Sequence, residues 1–208
     1  SKADIVNKNF SIGILGGGPI GCLHALYLHQ INNKNKIFII ESSDGKREIL
    51  KDIFKEFPNI NILDNSVRDQ FDITVMACSS SSGFEECTRL LKPKGKLILF
   101  SGFNNTNYKS ENYLPEIIHR YEFTHFAQDS LLIGSSGYVE KDLITSKQML
   151  QNFDSLNKII TGRVYALNSK VIHRYDGTYE EYDEPVLVKD IKGDFNSSHI
   201  KIQYFNEQ

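Results

Sequence analysis

The most informative chemical motif of the chain is a glycine-rich turn between an apolar strand and a helix. Residues 12–21 read Ile-Gly-Ile-Leu-Gly-Gly-Gly-Pro-Ile-Gly, and Gly16, Gly18 and Gly21 have the spacing G-x-G-x-x-G. In this spacing the first glycine makes a tight turn and the second lets a ligand approach the backbone. The third lets the helix pack closely on the strand. The motif predicts a loop that binds the pyrophosphate of a dinucleotide.

The first helical turn, with Pro19 and Ile20, belongs to the same predicted site. Proline suits this position because its missing N–H has no intrahelical acceptor there. The N–H groups that remain free, together with the helix dipole, attract an anion. We therefore predict that Pro19 and Ile20 join the three glycines in binding the cofactor.

An acidic residue follows the next apolar strand. The strand Ile37–Ile40 is followed by Glu41, about 20 residues beyond the last glycine, where the dinucleotide motif has an acid for the adenosine ribose hydroxyls. A carboxylate there repels a 2′-phosphate and favours NAD over NADP. Lys46 and Arg47 follow closely and could offset this repulsion, so NADP stays open.

Composition excludes several classes of protein. The net charge is −2 and the pI is near 6.3, which argues against a nucleic-acid or membrane-surface binder. The apolar runs have the length of strands, so we expect no membrane span and no signal peptide. Cys22, Cys78 and Cys87 form no C-x-x-C pair. Their odd number favours a reducing, cytoplasmic setting over a disulfide framework.

Strands alternate with helices over most of the chain, which predicts an α/β fold with a doubly wound, mostly parallel Rossmann sheet of about six strands. We expect a lead-in over 1–9, a dinucleotide-binding domain over 10–154, and a small, irregular, β-containing extension over 155–208. The extension is either an appendage or the remnant of a second, catalytic domain.

Several boundaries within these units can be predicted. Apolar spacing predicts a helix over 46–57 and a helical stretch within 114–126. The sixth strand is expected over 130–135. In the extension, strands are expected over 163–167, 185–191 and 199–205, with a hydrophilic, irregular segment in between.

Small and polar residues follow the fourth and fifth predicted strands. Cys78 and Ser79 follow the fourth, whereas Ser101, Gly102 and Phe103 follow the fifth. Ligands of open α/β sheets lie at the carboxyl ends of the strands, so we predict that these five residues line the cofactor cleft. In the structural alternative the serines only cap helices and Cys78 is a small core residue.

Four blocks, taken together, resemble the nucleotide-binding half of the medium-chain dehydrogenase/reductase family, which contains alcohol, polyol, sugar and threonine dehydrogenases. The blocks are 14–21, 72–79, 90–102 and 132–137. The resemblance implies that Glu41 binds the adenosine ribose diol and that Lys46 lies beside this ribose. It also implies a homodimer in which the sixth strand lies at the sheet edge and pairs across a two-fold axis.

The chain departs from this family at its beginning. Family enzymes place a GroES-like catalytic domain ahead of the nucleotide-binding half, and that domain supplies most ligands of the catalytic zinc. Here the first Rossmann strand comes almost at once, so we expect the catalytic domain to be absent from this chain. His24 and His29 lie five residues apart, which does not place two ligands on one helix face. We therefore predict no catalytic residue, no metal site and no zinc.

These observations predict the NAD(H)-binding domain of a medium-chain-type dehydrogenase that acts on an alcohol, polyol or sugar and is inactive alone. Its expected partners are the dinucleotide and a missing catalytic domain or larger protein. One alternative is a non-catalytic dinucleotide-binding sensor or partner module. Another is a fragment of an FAD-dependent oxidoreductase, although flavoproteins usually insert a β-meander after the second strand, where this chain continues with βα units.

Overall fold

The computed structural model of the chain contains a large α/β sheet and a smaller second sheet. The residues that it describes are 8–68, 70–80, 82–100, 123–126, 130–134, 140, 144–146, 148, 159, 162–164, 170–173, 178–181 and 202–204.

Within the described residues, the large sheet has seven strands. They are β1 (Ser11–Leu15), β2 (Lys36–Ile40), β3 (Ile60–Leu63), β4 (Phe71–Met76), β5 (Leu91–Leu99), β6 (Phe123–Phe126) and β7 (Ser130–Gly134). Their order is β3-β2-β1-β4-β5-β7-β6, and all neighbours are parallel except β6 and β7. The order reverses between β1 and β4, which confirms the predicted doubly wound, mostly parallel Rossmann sheet.

Within the described residues of the first half of the chain, three helices connect the strands. They are α1 (Pro19–Ile31), α2 (Asp44–Ile53) and α3 (Gly83–Arg89). The second helix begins before the predicted residue 46 because Ser43 caps it and its hydroxyl accepts the N–H of Lys46 at 3.4 Å. It also ends before the predicted residue 57. No helix in the described ranges is long and apolar enough to cross a membrane.

The central strands are buried on both faces, as parallel strands between two helical layers must be. Ile12 and Ile14 of β1 pack in one core cluster, whereas Leu15 lies in the other. The helices contribute to the first cluster from α1 and α2 and to the second from α3. Burying each such aliphatic side chain contributes about 1.5–3 kcal/mol, so the alternation fixes the orientation of every central strand.

Two segments take a conformation that depends on strand pairing. Helix α3 ends at Arg89, and Pro93 and Gly95 lie inside β5. The register between β4 and β5 shifts here, because Phe71 pairs with Leu91 but Ile73 pairs with Lys96. Lys94 lies in the extra residues of β5 and takes a positive φ of 62°. The helical stretch predicted within 114–126 does not include the last four of these residues, which form β6, and the rest of this range lies outside the described residues. Pairing with β7, invisible in local periodicity, decides their conformation.

The sixth predicted strand corresponds to β7, but it does not lie at the edge of the sheet. It pairs with β5 on one side and with antiparallel β6 on the other. The expected edge position is therefore wrong, because β6, which precedes β7 in the chain, covers that side of it. A homodimer through that edge would have to use β6, and it stays a prediction.

The second sheet is built from the last part of the chain. Its strands are β8 (Gly162–Val164), β9 (Val171–His173), β10 (Tyr179–Glu181) and β11 (Ile202–Tyr204), in the order β10-β9-β8-β11. Both β9 and β10 fall where an irregular segment was expected, and the strand predicted over 185–191 lies outside the described residues. Ile159 packs in the Rossmann core although it follows the predicted domain end at 154. The domain division itself stays a prediction.

Candidate functional site

The carboxyl ends of the central strands are joined by backbone hydrogen bonds. Gly16 N–H donates to the carbonyl of Ile40 at 2.9 Å, which joins the ends of β1 and β2. Ala77 N–H donates to the carbonyl of Leu15 at 3.0 Å, which joins β4 to β1. A similar bond of 3.3 Å joins the ends of β5 and β4. The residues that immediately follow these four strands, up to Phe100 after β5, consequently lie together at the carboxyl end of the sheet.

Two glycines of the motif are required by the fold itself. Gly16 has a φ of +107°, a conformation that side chains disfavour. At Gly21 an added Cβ would lie 1.9 Å from the carbonyl oxygen of Gly16. Both glycines would therefore be needed even if the loop bound no ligand.

Gly18 is different. Its backbone is extended, with φ −72° and ψ −177°, and no described atom lies within 4 Å of the position that a Cβ would occupy. Gly18 is the N-cap of α1, and within the described residues no side chain caps this helix. The first N–H groups of a helix have no intrahelical acceptor. The loop thus combines open space at Gly18 with a helix terminus suited to an anion.

Glu41 lies against this loop and is only 8% exposed. Its Oε2 accepts the N–H of Gly17 at 2.9 Å, and its Oε1 accepts the N–H of Ser43 at 2.9 Å. The hydroxyl of Ser42 lies 3.3 Å from the same Oε1. The carboxylate therefore connects the glycine loop to the turn between β2 and α2. Sequence reasoning found Glu41 but missed Gly17 and Ser43, since backbone donors leave no residue-type signal.

The two cations near Glu41 have different surroundings. Arg47 points back over the turn, and its Nη1 donates to the carbonyls of Glu41 and Ser42, both at 2.8 Å. Its Nη2 meets the carboxylate of Asp44. Lys46 is half-buried, and its charge lowers the pKa of Cys22 on α1, against the larger effects of burial and of Glu41, which raise it. The sequence contained a signal for Arg47, because a cation in the first turns of a helix is unfavourable next to the positive end of the helix dipole. Such a cation is expected to be held by nearby acceptors.

The three cysteines lie in different environments. Cys22 and Cys87 are buried, whereas Cys78 is partly exposed. Burial, followed by the charge of Glu41, raises the pKa of Cys22 to about 12. Burial also raises the pKa of Cys87. Cys78 touches the glycine turn, since a Cβ on Gly16 would lie 3.0 Å from its Cβ.

This difference predicts the thiol chemistry of the folded chain. At pH 8 a thiol reagent should modify one thiol per chain rapidly, because thiolates react and only Cys78 is accessible. Mass spectrometry of the labelled peptides should find the label on Cys78, and Cys78→Ser should abolish the fast phase. Rapid modification of Cys22 or Cys87 before unfolding would contradict the buried environments described above.

Of the remaining residues predicted to line the cleft, only Ser79 lies within the described part of the chain. Ser79 is exposed beside Cys78, and Ser101, Gly102 and Phe103 lie outside the described residues. His24 donates from Nδ1 to the carbonyl of Ile20 at 2.8 Å and packs edge-on against the ring of Phe100. Burial lowers the pKa of His24, with the hydrogen bond to Ile20 opposing it.

In the described parts of the chain, no group of three or more His, Cys, Asp or Glu residues could hold a metal ion. His29, the second histidine of α1, meets Asn59 Oδ1 through Nδ1 at 2.6 Å and packs on Phe57. Both histidines of this helix therefore have packing partners.

The strand order of the sheet and the glycine loop at its carboxyl end define a Rossmann-type α/β protein. No family model matches the chain, and no curated protein matches it. Solved structures of dehydrogenases match it in fold, at identities too low to establish more than that.

Three of these structures illustrate the likeness. Staphylococcus aureus TarJ in complex with NADPH has a TM-score of 0.57 and 19% identity, over 80% of this chain and 49% of TarJ. The 2R,3R-butanediol dehydrogenase of Bacillus subtilis has a TM-score of 0.59 and 14% identity, over 99% of this chain and 56% of that enzyme. The alcohol dehydrogenase rspB of Escherichia coli with NADH has a TM-score of 0.55 and 16% identity, over 79% of this chain and 49% of rspB. This chain thus spans about half the length of these relatives.

Proposed function

We propose that this chain is the dinucleotide-binding domain of an oxidoreductase of the medium-chain type and that it prefers NAD(H). The pyrophosphate would lie over Gly18 and the N-terminus of α1, and the adenosine ribose beside Glu41. Cys78 and Ser79, with Ser101, Gly102 and Phe103, would line the part of the cleft nearer the nicotinamide. The cofactor carries the hydride, and the chain's own residues bind and orient it.

The observation that carries this proposal is the open space at Gly18. Neither a positive φ nor a steric contact accounts for a glycine there, whereas a positive φ accounts for Gly16 and a steric contact for Gly21. A ligand whose phosphates approach the backbone closely would require a glycine at this position. The uncapped helix terminus beside it supplies the N–H donors that a pyrophosphate needs.

The preference for NAD(H) rests on Glu41. Its buried carboxylate carries a negative charge to the place where the ribose hydroxyls would lie, and it would repel a 2′-phosphate. Relatives of this fold do not decide the matter, since TarJ was solved with NADPH and rspB with NADH. The local charge of this chain is therefore the basis of the preference.

Substrate chemistry would belong to a second domain. The solved relatives are about twice as long as the part this chain matches, which supports a catalytic partner domain contributed from elsewhere. The alcohol, polyol or sugar would bind between the two. Without that partner the chain would bind cofactor with no measurable turnover, in a reducing compartment such as the cytoplasm.

Parallel titrations with NADH, NADPH and FAD, followed by cofactor fluorescence, test this proposal. We expect NADH to bind at least about tenfold more tightly than NADPH, equivalent to about 1.4 kcal/mol, and FAD not to bind. Bound NADH should also slow the labelling of Cys78. Binding of FAD alone would indicate a flavoprotein, and binding of none of the three would mean that the glycine motif is purely structural.

A further inference from the structure

The guanidinium of Arg47 is anchored on the backbone of its own turn. Its Nη1 donates to two consecutive carbonyls, those of Glu41 and Ser42, at 2.8 Å each. The side chain is only 18% exposed, and its Nη2 meets Asp44. A planar fork of donors can hold two carbonyls in this way, whereas a lysine ammonium presents a single point charge.

The turn that Arg47 holds also carries the carboxylate of Glu41. The backbone of Glu41 and Ser42 accepts from Arg47, and the next residue, Ser43, donates its N–H to Glu41 Oε1 at 2.9 Å. Movement of this backbone would displace both the carboxylate and its donor. Arg47 thus acts on the carboxylate through the main chain without touching it.

An acidic group of the same helix meets this guanidinium, and a second acidic group lies on another element. Asp44 precedes it on α2, and Asp64 follows β3. The pKa of Asp64 is lowered first by hydrogen bonds from Ser66, with a further contribution from the charge of Arg47. A 2′-phosphate approaching this corner would have to compete with the Asp44 carboxylate and with the two carbonyls for Arg47.

We propose that Arg47 is a positioning and specificity-determining residue of the ribose site. It fixes Glu41 for the 2′- and 3′-hydroxyls of the ribose, and its engagement with the turn withholds its charge from a 2′-phosphate. The inference rests on the proposed dinucleotide binding. It goes further in assigning selectivity to an arginine that, by charge alone, would favour NADP.

Replacement of Arg47 separates this role from others. Arg47→Met keeps the aliphatic stem, and we expect it to weaken NADH binding about fivefold, the equivalent of about one net hydrogen bond. NADPH binding should change less, so the selectivity for NADH falls. Arg47→Lys should restore only part of the loss. Lys51→Met removes an exposed charge from the same helix and should leave both affinities unchanged.

A second variant tests the withheld charge directly. Asp44→Asn releases Nη2, and we expect the Kd for NADPH to fall about threefold with little change for NADH. All affinities are measured at a temperature below the thermal unfolding midpoint of each variant, and this midpoint is recorded in parallel. This variant keeps the inference testable if Arg47→Met fails to fold.

Three outcomes would overturn the inference. Weaker NADPH binding by Arg47→Met with unchanged NADH binding would make Arg47 a phosphate ligand. A lower unfolding midpoint with unchanged affinities would make it purely structural. Unchanged NADPH affinity in Asp44→Asn would show that the charge is not withheld. If the wild-type chain binds neither dinucleotide, the proposed function itself fails, a result distinct from these three.

Discussion

Replacing Gly18 by alanine should abolish most dinucleotide binding while leaving the fold intact. The new Cβ would enter the open space over the loop, where the pyrophosphate is proposed to lie, so the Kd for NADH should rise at least about tenfold. The free energy of unfolding should change by no more than about 1 kcal/mol, since the backbone there is extended and only the N-cap preference is affected. Fluorescence titration and chemical denaturation measure the two effects.

Gly21→Ala is the matched contrast within the same motif. Its Cβ would lie 1.9 Å from the carbonyl of Gly16, so the chain must shift its backbone or fail to fold. We expect a loss of unfolding free energy of about 3 kcal/mol or more. Wild-type affinity in Gly18→Ala would refute the proposed position of the pyrophosphate, because a ligand lying over this backbone would have to meet the added Cβ.

Replacing Glu41 by glutamine should reduce both affinity and stability, for separable reasons. Loss of the charge should raise the Kd for NADH at least about tenfold and reduce the discrimination against NADPH. The amide retains one acceptor oxygen and turns its NH₂ group toward either Gly17 N–H or Ser43 N–H. One buried donor is then left unsatisfied, and the free energy of unfolding should fall by about 1–3 kcal/mol.

Asp72→Asn is the control for the structural part of this effect. Asp72 also accepts a backbone N–H, from Ser11 at 2.9 Å, and a second donor, Lys92 Nζ, at 2.8 Å. It lies at the amino ends of β1 and β4, opposite to the proposed site. We expect it to lower stability without altering affinity. If Glu41→Gln lowers stability in the same way and NADH binds as before, Glu41 is structural and the basis for NAD preference disappears.

Much of the fold follows from local sequence. The apolar strand ending at Leu15, the glycine turn and the helix that begins at Pro19 each depend on residues a few positions apart. The mostly apolar runs of β2 and β4 are likewise typical of parallel strands covered on both faces. Gly16 and Gly21 were assigned steric roles from their spacing, and the contacts in the structure agree with those roles.

Other features depend on partners distant in the chain. Phe123–Phe126 forms a strand because β7 is available beside it, and the same pairing removes β7 from the sheet edge. Lys94 adopts its positive φ where the register of β5 against β4 shifts and extra residues of β5 are accommodated. Nothing in the local periodicity of either segment carries this information, since strand pairing is a tertiary interaction.

The candidate site divides along the same line. By itself the sequence determined which residues have suitable chemistry, namely the glycine motif and Glu41, because conformational freedom and charge are properties of residue type. Only the tertiary structure decided that Gly18 faces open space, that Glu41 accepts two backbone N–H groups, and that Arg47 is engaged by its own turn. These are properties of relative position, and chain folding sets them.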